Sequence, residues 1–99
     1  MLNINKVAEN ETMVFELEGR LDTVTAPELE EALKESLEGV TQLTLDFEKL
    51  EYISSAGLRV LLATQKQMSE QGEMKVVHVN ESIMEILEVT GFTEILTIE

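Results

Sequence analysis

Two adjacent serines, Ser54 and Ser55, are the residues whose type and placement could do chemistry. They lie within Leu43 to Leu62, LTLDFEKLEYISSAGLRVLL, which reads as a buried strand ending in Asp46, a turn-like segment, the serine pair, Gly57 and a helix. A hydroxyl at that junction faces a helix N-terminus, whose unpaired N–H groups and partial positive charge suit an anion. Two roles are open to it. One serine caps the helix and fixes the turn, worth about 1 kcal/mol, or one serine accepts a phosphate that is later removed. Gly57 permits close approach of another backbone, and Leu58, Val60 and Leu61 would offer a partner a partly apolar patch.

Other chemistry is poorly supplied. A nucleophilic serine needs a base beside it and a group that orients the base. The single histidine, His78, falls in mid-strand between valines, where a packing or surface role is expected. The residues around Ser55 are Ile53-Ser54-Ser55-Ala56-Gly57, not a GxSxG elbow. Neither GxxxxGK[ST] nor GxGxxG occurs, so nucleotide binding has no support and no cofactor is expected. The carboxylates spread along helix faces without histidine partners or EF-hand spacing, so no dedicated metal site is expected either. The chain is expected not to be an enzyme; a small serine hydrolase is the reading from another class.

Composition narrows the partners. With 99 residues the chain makes one domain, residues 1–99. Seven basic residues against twenty acidic ones give a net charge of −13. Such a surface repels nucleic-acid backbones and anionic membranes, and it suits a partner with a basic face or simply keeps the chain soluble. The absence of cysteine excludes disulfides and thiolate metal sites. No apolar run approaches the roughly 20 residues of a membrane span, and no signal peptide precedes Met1-Leu2-Asn3-Ile4, so the expected location is the cytoplasm.

The elements that must position the serines follow from apolar spacing. Leu2, Ile4 and Val7, then Met13, Phe15 and Leu17 before Gly19, flank a polar Glu9-Asn10-Glu11 turn and predict a hairpin. Arg20 to Val24 reads as a loop. Thr25-Ala26-Pro27-Glu28 opens a first helix, with Thr25 as cap, Glu28 completing a capping box and Pro27 in the first turn. Leu29, Leu33 and Leu37 follow at helical spacing, and Gly39 ends it. After the strand at Leu43 and Leu45, a second helix runs from about Ala56 to Gln71, with Leu58, Leu61, Leu62 and Met68 inward and Gly72 as its stop. Met74 to Val79 predicts a strand, Ile83, Ile86, Leu87 and Thr90 a third helix closed by Gly91, and Phe92 to Ile98 a last strand. A hairpin followed by alternating helix and strand gives an α/β fold, a mixed sheet with helices packed mainly on one face. Glu28, Glu31, Glu35 and Glu38 point outward.

Both the order of elements and three short motifs resemble the STAS domain of bacterial anti-sigma factor antagonists, over nearly the whole chain. The motifs are Leu45-Asp46 through Tyr52-Ile53-Ser54-Ser55-Ala56-Gly57-Leu58, the turn Gly19-Arg20-Leu21-Asp22 in place of a G-x-L-D pattern, and Val89-Thr90-Gly91-Phe92. In that family the phosphate acceptor is a serine in a pattern like D-S-[ST]-G-L. Matched residue by residue, Ser55 is the acceptor, Ser54 replaces the aspartate, and Ala56 replaces the second hydroxyl residue. The resemblance implies a regulatory protein, monomeric when free, that binds an anti-sigma factor when unphosphorylated. That partner would be a serine kinase of the GHKL ATPase type, would phosphorylate Ser55 and would thereby be released; a PP2C-type phosphatase would reverse the step. Asp22, Ser54, Gly57 and Leu58 would border the phosphosite and contact the partner. The family commonly ends in a further short helix, where this sequence ends at Ile98-Glu99. The alternative is a STAS subunit of another signalling or transporter-accessory assembly, in which Ser55 is only a cap.

Overall fold

The computed structural model describes the whole chain, Met1 to Glu99. Strands β1 (Leu2–Glu9) and β2 (Thr12–Leu21) form the expected antiparallel hairpin. Its tight turn holds Asn10 at φ 56, a left-handed conformation that asparagine adopts more readily than most residues. The pairing Ile4↔Leu17 puts alternate residues on the core side, and Val7↔Val14 falls on the other. Val7 is therefore 55% exposed and does not continue the buried row begun by Leu2 and Ile4. Arg20 and Leu21, expected in a loop, belong to β2.

Helix α1 (Ala26–Ser36) leads to β3 (Gln42–Ile53), α2 (Ser55–Gln71) to β4 (Glu73–Val77), and α3 (Glu81–Val89) to a 3-10 turn at Phe92–Glu94. The sheet order is β1-β2-β3-β4, with β2, β3 and β4 parallel. Crossovers between parallel strands are right-handed, and both step the same way along the sheet, so α1 and α2 cover the same face. Ile83 and Leu87 of α3 join the same core as Leu29, Leu33 and Leu37 of α1 and Leu61 and Met68 of α2. The opposite face of the sheet is left to solvent. This is the one-sided mixed sheet that the sequence implies.

Strand β3 is much longer than the expected run ending near Asp46-Phe47. Its register against β2 slips twice: Glu16↔Asp46 is followed by Glu18↔Lys49, and Gly19↔Leu50 by Arg20↔Tyr52. Each slip inserts one extra residue into β3, a β-bulge. Each also shifts the inward alternation by one, so Leu43, Leu45 and Phe47 are followed by Leu50 and Ile53, all buried. The second half of β3 thus places Ser54 at the end of a strand anchored on β2. At the far end, Phe92 to Ile98 is not the expected strand. After the 3-10 turn only Ile98 bridges to Val76 of β4.

Candidate functional site

The site forms where β2 and β3 end side by side. Leu21 pairs with Ile53, and the Ser54 N–H donates to the Leu21 carbonyl at 2.8 Å. One turn into α2, Gly57 packs on the same leucine. A Cβ on Gly57 would stand 2.7 Å from Leu21 Cγ and 3.1 Å from the Leu21 carbonyl oxygen, closer than a side chain tolerates. The residue preceding Asp22 is thereby fixed against residues on both sides of Ser55. The close approach that Gly57 permits is to the chain's own β2, not to a partner.

The two serines divide the tasks between them. Ser54 is the N-cap of α2: its extended backbone (φ −93, ψ 174) lets its hydroxyl accept from the Gly57 N–H at 3.3 Å, and its carbonyl accepts from the Leu58 N–H. Ser55 is the first residue of the helix, exposed, and its hydroxyl takes no part in capping. The N–H groups of Ser55 and Ala56 have no carbonyl a turn earlier to bind. An anion on Ser55 would therefore meet free donors and the positive end of the helix dipole.

Asp22 shapes the neighbouring loop. Its Oδ1 accepts from the Val24 N–H at 3.0 Å and the Thr25 N–H at 3.1 Å. The Thr25 N–H first of all, with further help from the Val24 N–H, holds the Asp22 carboxyl below the usual carboxylate range, against an opposing effect of desolvation. Thr25 occupies the N-cap position of α1 as expected, but its side chain makes no capping bond. Its hydroxyl instead accepts from the Asp22 N–H at 2.8 Å and donates to the Arg20 carbonyl at 2.7 Å. The capping box with Glu28 is not formed; the loop before the helix consumes the threonine. Alongside, the Arg20 guanidinium lies 4.4 Å over the Tyr52 ring and 3.9 Å from Asp22 Oδ2. Arg20 and Tyr52 were not among the expected site residues, and their pairing across β2 and β3 becomes visible only with the slipped register.

The apolar patch expected around Gly57 is absent from the surface. Leu58 and Val60 are each 7% exposed and Leu61 is fully buried, so all three point into the core; Leu62, expected inward, is only half-buried. His78 also departs from expectation. It lies beyond β4, takes φ 58 and turns its ring to Asp46, with Nδ1 3.0 Å from Oδ1. The hydrogen bond and charge of Asp46, aided by Glu48, raise the His78 pKa. The acidic residues thus do have a histidine partner, one the sequence hides because it comes from another strand's end. Its Nδ1 faces Asp46, and no serine hydroxyl hydrogen-bonds to its ring.

The STAS domain profile matches residues 3–99. The chain belongs to the STAS domain family. Among curated relatives this STAS domain is 36% identical over 84 residues to BtrV of Bordetella bronchiseptica, a candidate anti-sigma factor antagonist, across 83% of this chain and 72% of that protein. Its fold superposes on an anti-sigma factor antagonist from Mycobacterium paratuberculosis with a TM-score of 0.89 at 23% identity, covering 99% of this chain and 85% of that one. It also matches the Bacillus cell fate determinant SpoIIAA in its phosphorylated form, with a TM-score of 0.74 at 17% identity over 100% and 91% of the two chains. No helix is long and apolar enough to cross a membrane.

Proposed function

We propose that this STAS domain is an anti-sigma factor antagonist that works by partner switching, with Ser55 as the switch. Unphosphorylated, it binds an anti-sigma factor through the end of the molecule built from the Asp22 loop and the start of α2. That partner is a GHKL-type serine kinase that transfers a phosphate to Ser55; a PP2C-type phosphatase restores the binding form. The observation that carries the reading is the division between the serines: Ser54 caps the helix, so the exposed hydroxyl of Ser55 is left free for transfer.

The physical consequence is a change of charge without a change of fold. A phosphate adds about −1.5 to −2 charges at neutral pH, and a helix N-terminus accommodates it. A partner seated on Ser55 would have to bury that charge or move away, beside an Asp22 carboxylate held ionised. Leu58 lies in the core and offers no surface; the apolar groups exposed at this end are Val24 and Tyr52.

Incubation with the cognate kinase and ATP tests the assignment. Intact mass should rise by one phosphate, peptide mapping should place it on Ser55, and the product should lose affinity for the kinase. A phosphate on Ser54, or unaltered binding after complete phosphorylation, overturns it.

A further inference from the structure

The open face of the sheet, away from the helices and from Ser55, gathers donors for a metal. Asp46 and Glu48 of β3 and His78 after β4 each present one ligand atom, and the three atoms lie within 4.8 Å of one another. His78 Nδ1 and Asp46 Oδ1 are 3.0 Å apart. Two ligands about 2.1 Å from a tetrahedral ion are separated by about 3.4 Å, so an ion entering here replaces their hydrogen bond and spreads the pair by only a few tenths of an ångström. Glu48 is exposed and free to swing its carboxylate onto the same point.

A second observation concerns the space beside these groups. A hollow of about 70 Å³ is lined by Asn5, Glu16, Leu17, Glu18, Asp46, Glu48 and Lys49, well above the roughly 10–15 Å³ that one water needs. Glu16 stands across from Asp46 in the parallel ladder, so further carboxylates border the hollow. Lys49 is the only basic residue lining the hollow.

We propose that Asp46, Glu48 and His78 bind one borderline divalent transition-metal ion, with zinc as the probe, and that waters in the adjoining hollow complete its coordination. One imidazole with two carboxylates suits zinc, cobalt or nickel better than calcium or magnesium, which take oxygen ligands. Binding uses the His78 Nδ1 lone pair: a neutral imidazole moves its proton to Nε2, and an imidazolium releases one proton to solvent. It cross-links β3 to the connection between β4 and α3.

The full chain, stripped with chelator, is titrated with zinc chloride by calorimetry at neutral pH. One site per chain is expected, and cobalt should broaden the NMR amide signals of Phe47 to Lys49 and Val77 to Val79 while sparing Ser55. His78→Gln should weaken zinc binding by at least about 10-fold, and Glu48→Gln should weaken it as a second, independent variant. Both side chains are exposed, so Glu48→Gln should keep the metal-free melting temperature and His78→Gln, which gives up the bond to Asp46, should lower it only slightly. Zinc bound as tightly by His78→Gln as by the native chain, or displaced by equimolar calcium, would assign the binding to diffuse acidic charge and overturn the site.

Discussion

Two helix starts lie on one end of this molecule, and they use their hydroxyls differently. At α1 the side chains of Asp22 and Thr25 are both committed: Thr25 bonds to Asp22 and Arg20, and Asp22 bonds back to Val24 and Thr25. At α2 the cap is a single long bond from Gly57 to Ser54, and the next hydroxyl, Ser55, stands exposed with no structural duty. The first start is a closed knot that holds a carboxylate in place. The second is a serviceable cap with a spare nucleophile. A hydroxyl that the fold does not need is the one a kinase can modify without unfolding the protein.

The largest effect that bears on this contrast is all-or-none. Ser55→Ala should abolish phosphate incorporation by the kinase while preserving partner binding, and its stability should stay within about 0.5 kcal/mol of native because no hydrogen bond is lost. Retained phosphorylation in this variant, measured by intact mass, would break the distinction between the serines.

Gly57→Leu comes next. With Leu21 Cγ 2.7 Å from the position of a Cβ, a leucine there must push α2 off β2, at a cost of about 1–3 kcal/mol or more. Partner binding should weaken together with thermal stability, because the helix start itself moves. A Gly57→Leu variant that melts like the native chain would mean that the Gly57–Leu21 contact yields easily.

The knot and the cap can then be compared directly. Thr25 is 3% exposed, and Thr25→Val would bury the Asp22 N–H and the Arg20 carbonyl without their partner, costing about 1–3 kcal/mol. Ser54→Ala should cost about 1 kcal/mol or less, given the length of the bond it removes. Denaturant melts of the two variants give the order; a larger loss from Ser54→Ala would make the α2 cap the stronger device. Ser55→Asp should change stability by only about 0.3–1 kcal/mol, in the favourable direction, since a carboxylate in the first turn suits the helix dipole. It should bind the partner far more weakly than the native chain, as a pull-down or calorimetry will show.

Much of this end was legible in the sequence. Leu29, Leu33 and Leu37 repeat at helical spacing with nothing to disturb them, and α1 forms where that spacing places it. Ser54 and Ser55 sit at the start of α2 because the apolar pattern changes period there. The second half of β3 was hidden because two bulges turn a two-residue alternation into the three-residue steps Phe47, Leu50 and Ile53, which mimic a turn or a short helix. Leu58 carries two expectations, an inward place on α2 and a share in a docking patch, and only the inward one holds, because the first inward turn of α2 begins at Gly57. Thr25 was placed correctly and assigned the wrong bond, since spacing shows Glu28 ahead of it and cannot show Arg20 folded back behind it. The meeting of His78 with Asp46 depends on strand order and on the left-handed turn at His78, neither of which a local pattern contains.

The smallest effect isolates the charge of Asp22 from its shape. The Asp22 carboxyl is held below its ordinary range, chiefly by the Thr25 N–H. A carboxylate whose folded pKa is depressed adds stability that is fully present above the unfolded pKa of about 3.9 and is lost as pH falls through the folded value. Asp22→Asn keeps an oxygen to accept from the Val24 and Thr25 N–H groups but removes the ionisation. The native chain should therefore be slightly more stable than Asp22→Asn at neutral pH, and the gap should close as acid protonates the native carboxyl. Melting curves of both proteins at closely spaced pH values between neutrality and about pH 3 will trace the convergence. A gap that stays constant across that range would mean that the loop depends on the oxygen alone, and that the charge of Asp22 is free to serve recognition at the Ser55 end without contributing to the fold.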